Sequence, residues 1–175
     1  GWKPTEHRAI PTTRFRKAQT GDATFVTLLR PFKGNQPTVK TKEIKIKEKS
    51  ILGYAVCENG VATEVLVAAG KAPSNFSFSS ELAGKTKVKA SGLVLAKGKD
   101  QALLKLGGWN LSEYSGGNTA FITSLPTTIN LIERRGFLTI GNLGDQAVLV
   151  NFTLPYRKSV MLEPGMWKDV SSKGE

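Results

Sequence analysis

Thr127-Thr-Ile-Asn-Leu-Ile-Glu-Arg-Arg-Gly-Phe-Leu-Thr-Ile-Gly-Asn-Leu-Gly-Asp-Gln-Ala-Val-Leu-Val-Asn-Phe-Thr-Leu154 decides the fold class. It holds three apolar runs rich in β-branched residues, Ile129 to Ile132, Phe137 to Ile140 and Ala147 to Leu154, the composition that suits a pleated, half-buried surface. Two polar links separate them. Glu133-Arg134-Arg135-Gly136 ends in a glycine free to take a positive φ, and Gly141 to Asp145 supplies two more glycines. The expectation is a meander of three strands whose apolar face must be covered by a second layer drawn from the rest of the chain.

Working outward, the same grammar repeats. Ala23 to Arg30 is a near-continuous apolar run, as in a strand covered on both sides, and Pro31 ends it. From Val39 to Lys49 the inward parity switches near Glu43: Val39 and Thr41 alternate with lysines in one phase, Ile44 and Ile46 in the other. One extra residue exchanges the faces of a strand, so a β-bulge or a strand break is expected there. Asn59-Gly60, between Ser50–Cys57 and Val61–Ala69, is a strong hairpin signal. Phe76-Ser77-Phe78 alternates, and a second hairpin is expected around Lys97-Gly98-Lys99-Asp100. Gly107 to Asn118 is glycine-rich and polar and reads as a surface loop or irregular crossover. Ala120 to Ser124 reads as a short strand, and Lys158 to Leu162 and Met166 to Val170 flank a Pro164-Gly165 turn.

No apolar period of 3.6 residues is sustained anywhere, and about a dozen short strands with turn signals between them predict an all-β fold, an antiparallel β-sandwich. The expected organisation is a linker over 1–11, where Pro4 and Pro11 block helix, one sandwich domain over 12–170, and a frayed tail over 171–175.

Composition narrows the chemistry. The 175 residues carry a formal charge of +11 and a pI near 9.9, which favours anionic partners. Cys57 is the sole cysteine, so a disulfide framework and a cysteine-based zinc site are excluded, and a buried packing role is expected for it. His7 is the sole histidine, in a proline-flanked segment with only Glu6 beside it, a poor general base. Phosphate-loop, nucleophile-elbow and zinc-protease motifs are missing from the sequence. Asp22, Asp100 and Asp145 fall in turns, where aspartate commonly bonds its own backbone. No catalytic residue, metal site or cofactor is expected. No apolar run approaches the roughly 20 residues of a membrane-spanning helix. The few aromatics are not interleaved with basic strands as in RNA-binding sheets, and no basic helix is evident, so neither membrane nor nucleic acid is the expected partner.

Binding is better supported. Lys85, Lys87 and Lys89 stand two apart, which puts three ammonium groups on one strand face roughly 7 Å apart. That spacing can follow carboxylates or sulfates along an extended polyanion; the plain alternatives are a solvated face or edge-strand lysines that deter aggregation. Lys40, Lys42, Lys45 and Lys47 form a second, more broken stripe, interrupted by Glu43 and Glu48. Arg134 and Arg135 sit at a hairpin tip, where a guanidinium fork can grip a carboxylate through two bonds. Trp109 and Tyr114, in the glycine-rich stretch, either stack on sugar faces or plug the end of the sandwich.

Arg14-Phe15-Arg16-Lys17, followed by Phe25-Val26-Thr27-Leu28-Leu29-Arg30-Pro31-Phe32-Lys33-Gly34, resembles the C-terminal β-sandwich of heparinase II/III-like polysaccharide lyases, where a charged strand precedes a strand that ends in proline. Ile129 to Ile140 and the closing Pro164-Gly165 turn look similar too. Members of that family act on uronic-acid polymers, with catalytic groups mostly in an α/α-toroid and a first β-sheet domain, and nothing here matches a toroid. The resemblance implies an accessory module of a secreted or periplasmic bacterial lyase.

The reading is a noncatalytic carbohydrate-binding module for an anionic polysaccharide such as alginate or a glycosaminoglycan, with Lys85, Lys87, Lys89, Arg134 and Arg135 meeting the charges and Trp109 or Tyr114 stacking. The alternative is a structural β-sandwich that braces the catalytic domain of its parent lyase and binds no ligand, with an apolar patch near Trp2 and Ile10. A third reading, a lyase in its own right, predicts unsaturated products from a uronate polymer.

Overall fold

A computed structural model describes residues 38–97, 103–134, 137–154 and 156–170, all within one compact unit, Gln36–Glu175. The described residues form twelve strands: β1 Val39–Glu43, β2 Leu52–Glu58, β3 Val61–Ala68, β4 Ser74–Ser80, β5 Gly84–Ala90, β6 Gly92–Lys97, β7 Leu103–Gly116, β8 Thr119–Arg134, β9 Phe137–Asn142, β10 Val148–Leu154, β11 Lys158–Leu162 and β12 Trp167–Asp169. Every pairing is antiparallel. The class is all-β, an antiparallel β-sandwich.

The long hairpin β7–β8 belongs to both layers. Its open end carries β6, β3, β2 and β1 beside β7, and β9 and β12 beside β8. Its closed end carries β5 and β4 beside β7, and β10 and β11 beside β8. The first set is called sheet one below and the second sheet two. Their inner faces meet in one apolar cluster, with Leu93, Leu95, Ile129, Leu131 and Ile140 from sheet one and Val88, Phe121, Val150, Phe152 and Leu162 from sheet two. Phe121 stands at the centre of an aromatic run, with ring centroids 5.7 Å from Tyr114 and 5.5 Å from Phe152, the tilted geometry that ring quadrupoles prefer.

Several expectations hold residue by residue. Asn59 and Gly60 take φ of 52° and 84° and join β2 to β3, as a two-residue hairpin turn with two positive φ angles requires. β1 ends at Glu43, where the parity switch was expected, and Ile44 beyond it is buried. β4 and β5 alternate buried with exposed positions throughout.

Two expectations fail. Gly107 to Asn118 is not a surface loop, since most of it is β7. Its glycines make room for side chains that cross them: a Cβ on Gly107 would sit 3.1 Å from Asn130 Oδ1, one on Gly108 2.7 Å from Leu111 Cδ2, and one on Gly116 2.7 Å from Tyr114 Oη. Where the hairpin passes between layers the register slips, from Gly108↔Ile129 through Leu111↔Thr127 to Glu113↔Ile122. Asn110 absorbs the bend at φ 47°, its Nδ2 donating to Ser91 Oγ at 3.0 Å, while Ser91 Oγ donates to the Trp109 carbonyl at 3.0 Å. The excess residues on β8 include Pro126, which has no N–H to give a ladder. Ala120–Ser124 and Ile129–Ile132 are therefore parts of one bent strand rather than two strands.

The second failure is the meander. β9 pairs with β8 and β12, whereas β10 pairs with β8 and β11, so Gly141 to Asp145 carries the chain from sheet one to sheet two instead of closing a hairpin. The Pro164-Gly165 turn, with Gly165 at φ 74°, brings it back. Asn142 joins the two crossings. Its side chain is fully buried, Oδ1 accepts from Thr127 Oγ1 at 3.1 Å and from the Gly144 N–H at 2.9 Å, and Nδ2 donates to the carbonyls of Gln146 and Leu162. A buried amide with all its bonding capacity used holds a crossing where apolar contact alone would leave main-chain groups unpaired.

Candidate binding faces

The outer face of sheet two carries the lysine row. β5 alternates inward Thr86, Val88 and Ala90 with outward Lys85, Lys87 and Lys89, of which the first two are exposed and the third half-buried. Register places Ser79 beside Lys85, Ser77 and Ser115 on either side of Lys87, and Asn75 and Glu113 on either side of Lys89. β5 has a strand on each side, so its lysines do not guard a sheet edge. The exposed positions of β4 are Asn75, Ser77 and Ser79, short polar groups able to hydrogen-bond hydroxyls.

A groove of about 480 Å³ opens on this face, bordered by Asn75, Ser77, Lys87, Glu113, Ser115, Ile122 and Thr153, and lined also by Glu48, whose Oε2 is buried without a hydrogen-bond partner among the described residues. Glu113 on β7 and Glu48, from the segment between β1 and β2, make the groove mixed in charge. The uniformly cationic track is the β4–β5 side, from Lys89 through Lys87 to Lys85.

Arg134 and Trp109 lie elsewhere, on the outer face of sheet one. Arg134 is exposed at the end of β8, paired with Phe137, and borders a hollow of about 390 Å³ with Ile132, Phe137 and Thr139. Arg135 lies outside the described residues, as do His7, Trp2 and Ile10. Trp109 is 48% exposed. Tyr114, in contrast, is 2% exposed and packs between Phe121 and the sheet-two interior, so of the two roles open to it the structure selects plugging the core over stacking on a sugar. Burial pushes its phenol well above the ordinary value, with the Glu133 carboxylate adding in the same direction, and its hydroxyl has no hydrogen-bond partner.

The expected constellation thus separates into two faces, lysines on one sheet and Trp109 with Arg134 on the other. No protein-family model, curated protein or solved structure matches this chain. Its chemistry is therefore read from the faces themselves. Among the described residues no group of three or more His, Cys, Asp or Glu side chains could hold a metal ion. Cys57 is half-buried on β2 rather than enclosed, because β1 beside it is short and exposed.

The sequence reading missed two exposed aromatics, Phe137 and Trp167. Both sit in runs that look like ordinary strands. The available signal was an aromatic paired with a glycine across a ladder, Trp167↔Gly141, and it needs the register to be seen.

Proposed function

We propose that this chain is a noncatalytic carbohydrate-binding module for an anionic, uronic-acid polysaccharide, part of a larger, exported polysaccharide lyase. One observation carries the reading: Lys85, Lys87 and Lys89 project from one face of an interior strand, beside a neighbouring strand whose outward residues are serine and asparagine. Ammonium groups repeating at about 7 Å offer a linear acid polymer charge at intervals, and the hydroxyls and amide beside them offer bonds to its sugar oxygens. The sequence resemblance of residues 14–34 to the heparinase II/III-like accessory sandwich, together with the net charge of +11, supports the class of polymer and the parent enzyme.

Affinity electrophoresis of the chain through gels containing alginate, heparin or a neutral β-glucan tests this. Retardation in the two acidic gels whose salt-sensitive part is lost in a Lys85→Ala/Lys87→Ala/Lys89→Ala variant supports the reading, and equal mobility in all three gels at low salt defeats it.

The structural alternative has its own supporting observation. Ile122 on β8, Leu149 on β10 and Met161 on β11 share the outer face of sheet two, continuing from the lysine groove that Ile122 borders, and Ile122 and Met161 are about half exposed. An apolar strip of this kind suits a neighbouring domain of the parent enzyme. That reading predicts no retention by any polysaccharide.

A further inference from the structure

The outer face of sheet one gathers Trp109, Phe137 and Trp167, the exposed Trp and Phe side chains among the described residues. Two of them rest on glycines. A Cβ built on Gly141 would lie 2.5, 2.6 and 2.8 Å from three atoms of the Trp167 indole, nearly equal distances that set the ring face-on over β9. A Cβ on Gly92 would lie 3.1 Å from Trp109 Cε3, so that indole leans over β6. β7 and β8 run between the two rings, and the outward residues there are Gly107, with no side chain, and Asn130, whose amide has no hydrogen bond to a described residue. By register Gly107, Asn130, Gly141 and Trp167 form one cross-strand row. Three strand spacings of about 4.8 Å and one residue pair along the strand separate the two rings by about 16 Å.

We infer that this trough is a second glycan site, distinct from the lysine row, in which Trp109 and Trp167 stack on the apolar faces of two pyranose rings and Asn130 bonds the sugar between them. A sugar ring presents a C–H face to an indole and hydroxyls to an amide, and between the rings the floor is low, with the Asn130 amide lying across Gly107. The next cross-strand row along the strands holds Lys105 together with Glu64 and Asp169, and Arg134 follows on β8, so the charges beside the trough are mixed and the stacking faces, not the charges, hold the sugar. The inference shares its class of ligand with the proposed function but uses different residues and a different force. Stacking persists at salt concentrations that screen exposed charge pairs.

Trp109→Ala, Trp167→Ala, Trp167→Phe and Asn130→Ala variants of the full chain, titrated with an alginate oligosaccharide in low salt and in 0.5 M salt and read by tryptophan emission and calorimetry, test it. The expected result is binding that survives high salt, falls at least about tenfold in either alanine variant at tryptophan, as when a hot-spot aromatic is removed, and is largely kept in Trp167→Phe. Asn130→Ala, which removes no packing ring, is expected to weaken binding with unchanged thermal unfolding. Unchanged affinity in both Trp167→Ala and Asn130→Ala overturns the site. Loss of binding in Lys85→Ala/Lys87→Ala/Lys89→Ala alone, with the tryptophan variants intact, also overturns it while leaving the lysine row standing.

Discussion

The indole of Trp167, directly across the ladder on the neighbouring strand, occupies the space that a side chain on Gly141 would need. Gly141→Ala therefore has to displace the ring. The expected cost is about 1–3 kcal/mol, the range for overpacking, read as a lower midpoint in chemical denaturation. The same variant should weaken alginate binding as Trp167→Ala does, although Gly141 itself lies beneath the ring and away from solvent.

Asn142 is expected to be the most sensitive polar residue of the fold. Asn142→Leu strands the Thr127 hydroxyl, the Gly144 N–H and the carbonyls of Gln146 and Leu162 in a buried setting. Each unsatisfied buried group costs about 1–3 kcal/mol, so a loss of several kcal/mol is predicted from urea titration. Asn142→Asp keeps the two accepting interactions but faces both carbonyls with oxygen, and should rescue little.

These two residues also show where sequence reading stops. The Asn59-Gly60 turn, the break at Glu43 and the alternation of Lys85, Lys87 and Lys89 were legible because each is a local event, set by φ or by period two. The role of Gly107, Gly108 and Gly116 was not, because a glycine in a loop and a glycine that yields space to a crossing side chain, from the partner strand (Asn130) or from the same strand (Leu111, Tyr114), look the same until the chain is folded. Ile129–Ile132, Phe137–Ile140 and Ala147–Leu154 were rightly strands, but which strand pairs with which depends on Asn142 and the crossings it ties. For the same reason the sequence could not show that Trp109 and the lysines face away from different sheets.

Tyr114 gives a prediction about alkaline pH. Its phenol pKa is raised by desolvation and then by Glu133. The folded state therefore holds the proton more tightly than the unfolded state, so this phenol's contribution to stability is constant below the ordinary tyrosine value of 10.0 and falls as pH rises beyond it. Tyr114→Phe should remove this phenol's share of that decline. It also deletes a buried hydroxyl without a partner, so at neutral pH the variant should be as stable as the parent or more stable by up to about 1 kcal/mol. Thermal melts at neutral and alkaline pH check both parts.

Lys85 and Lys87 are exposed, so their replacement by alanine should change unfolding free energy by no more than about 0.5 kcal/mol each. A loss of ligand retention in such variants then reports binding and not folding. Circular dichroism and melting of the triple variant provide the control.

The central claim is that β5 presents its cations to an acid polymer, and retention on immobilised alginate across a salt gradient tests it most directly. The account predicts that the parent chain is held at low salt, that the charge-dependent part of its retention declines as salt rises, and that the Lys85→Ala/Lys87→Ala/Lys89→Ala variant loses that part while keeping its fold. A triple variant that elutes with the parent throughout the gradient, or a parent chain held equally by a neutral glucan, would contradict it.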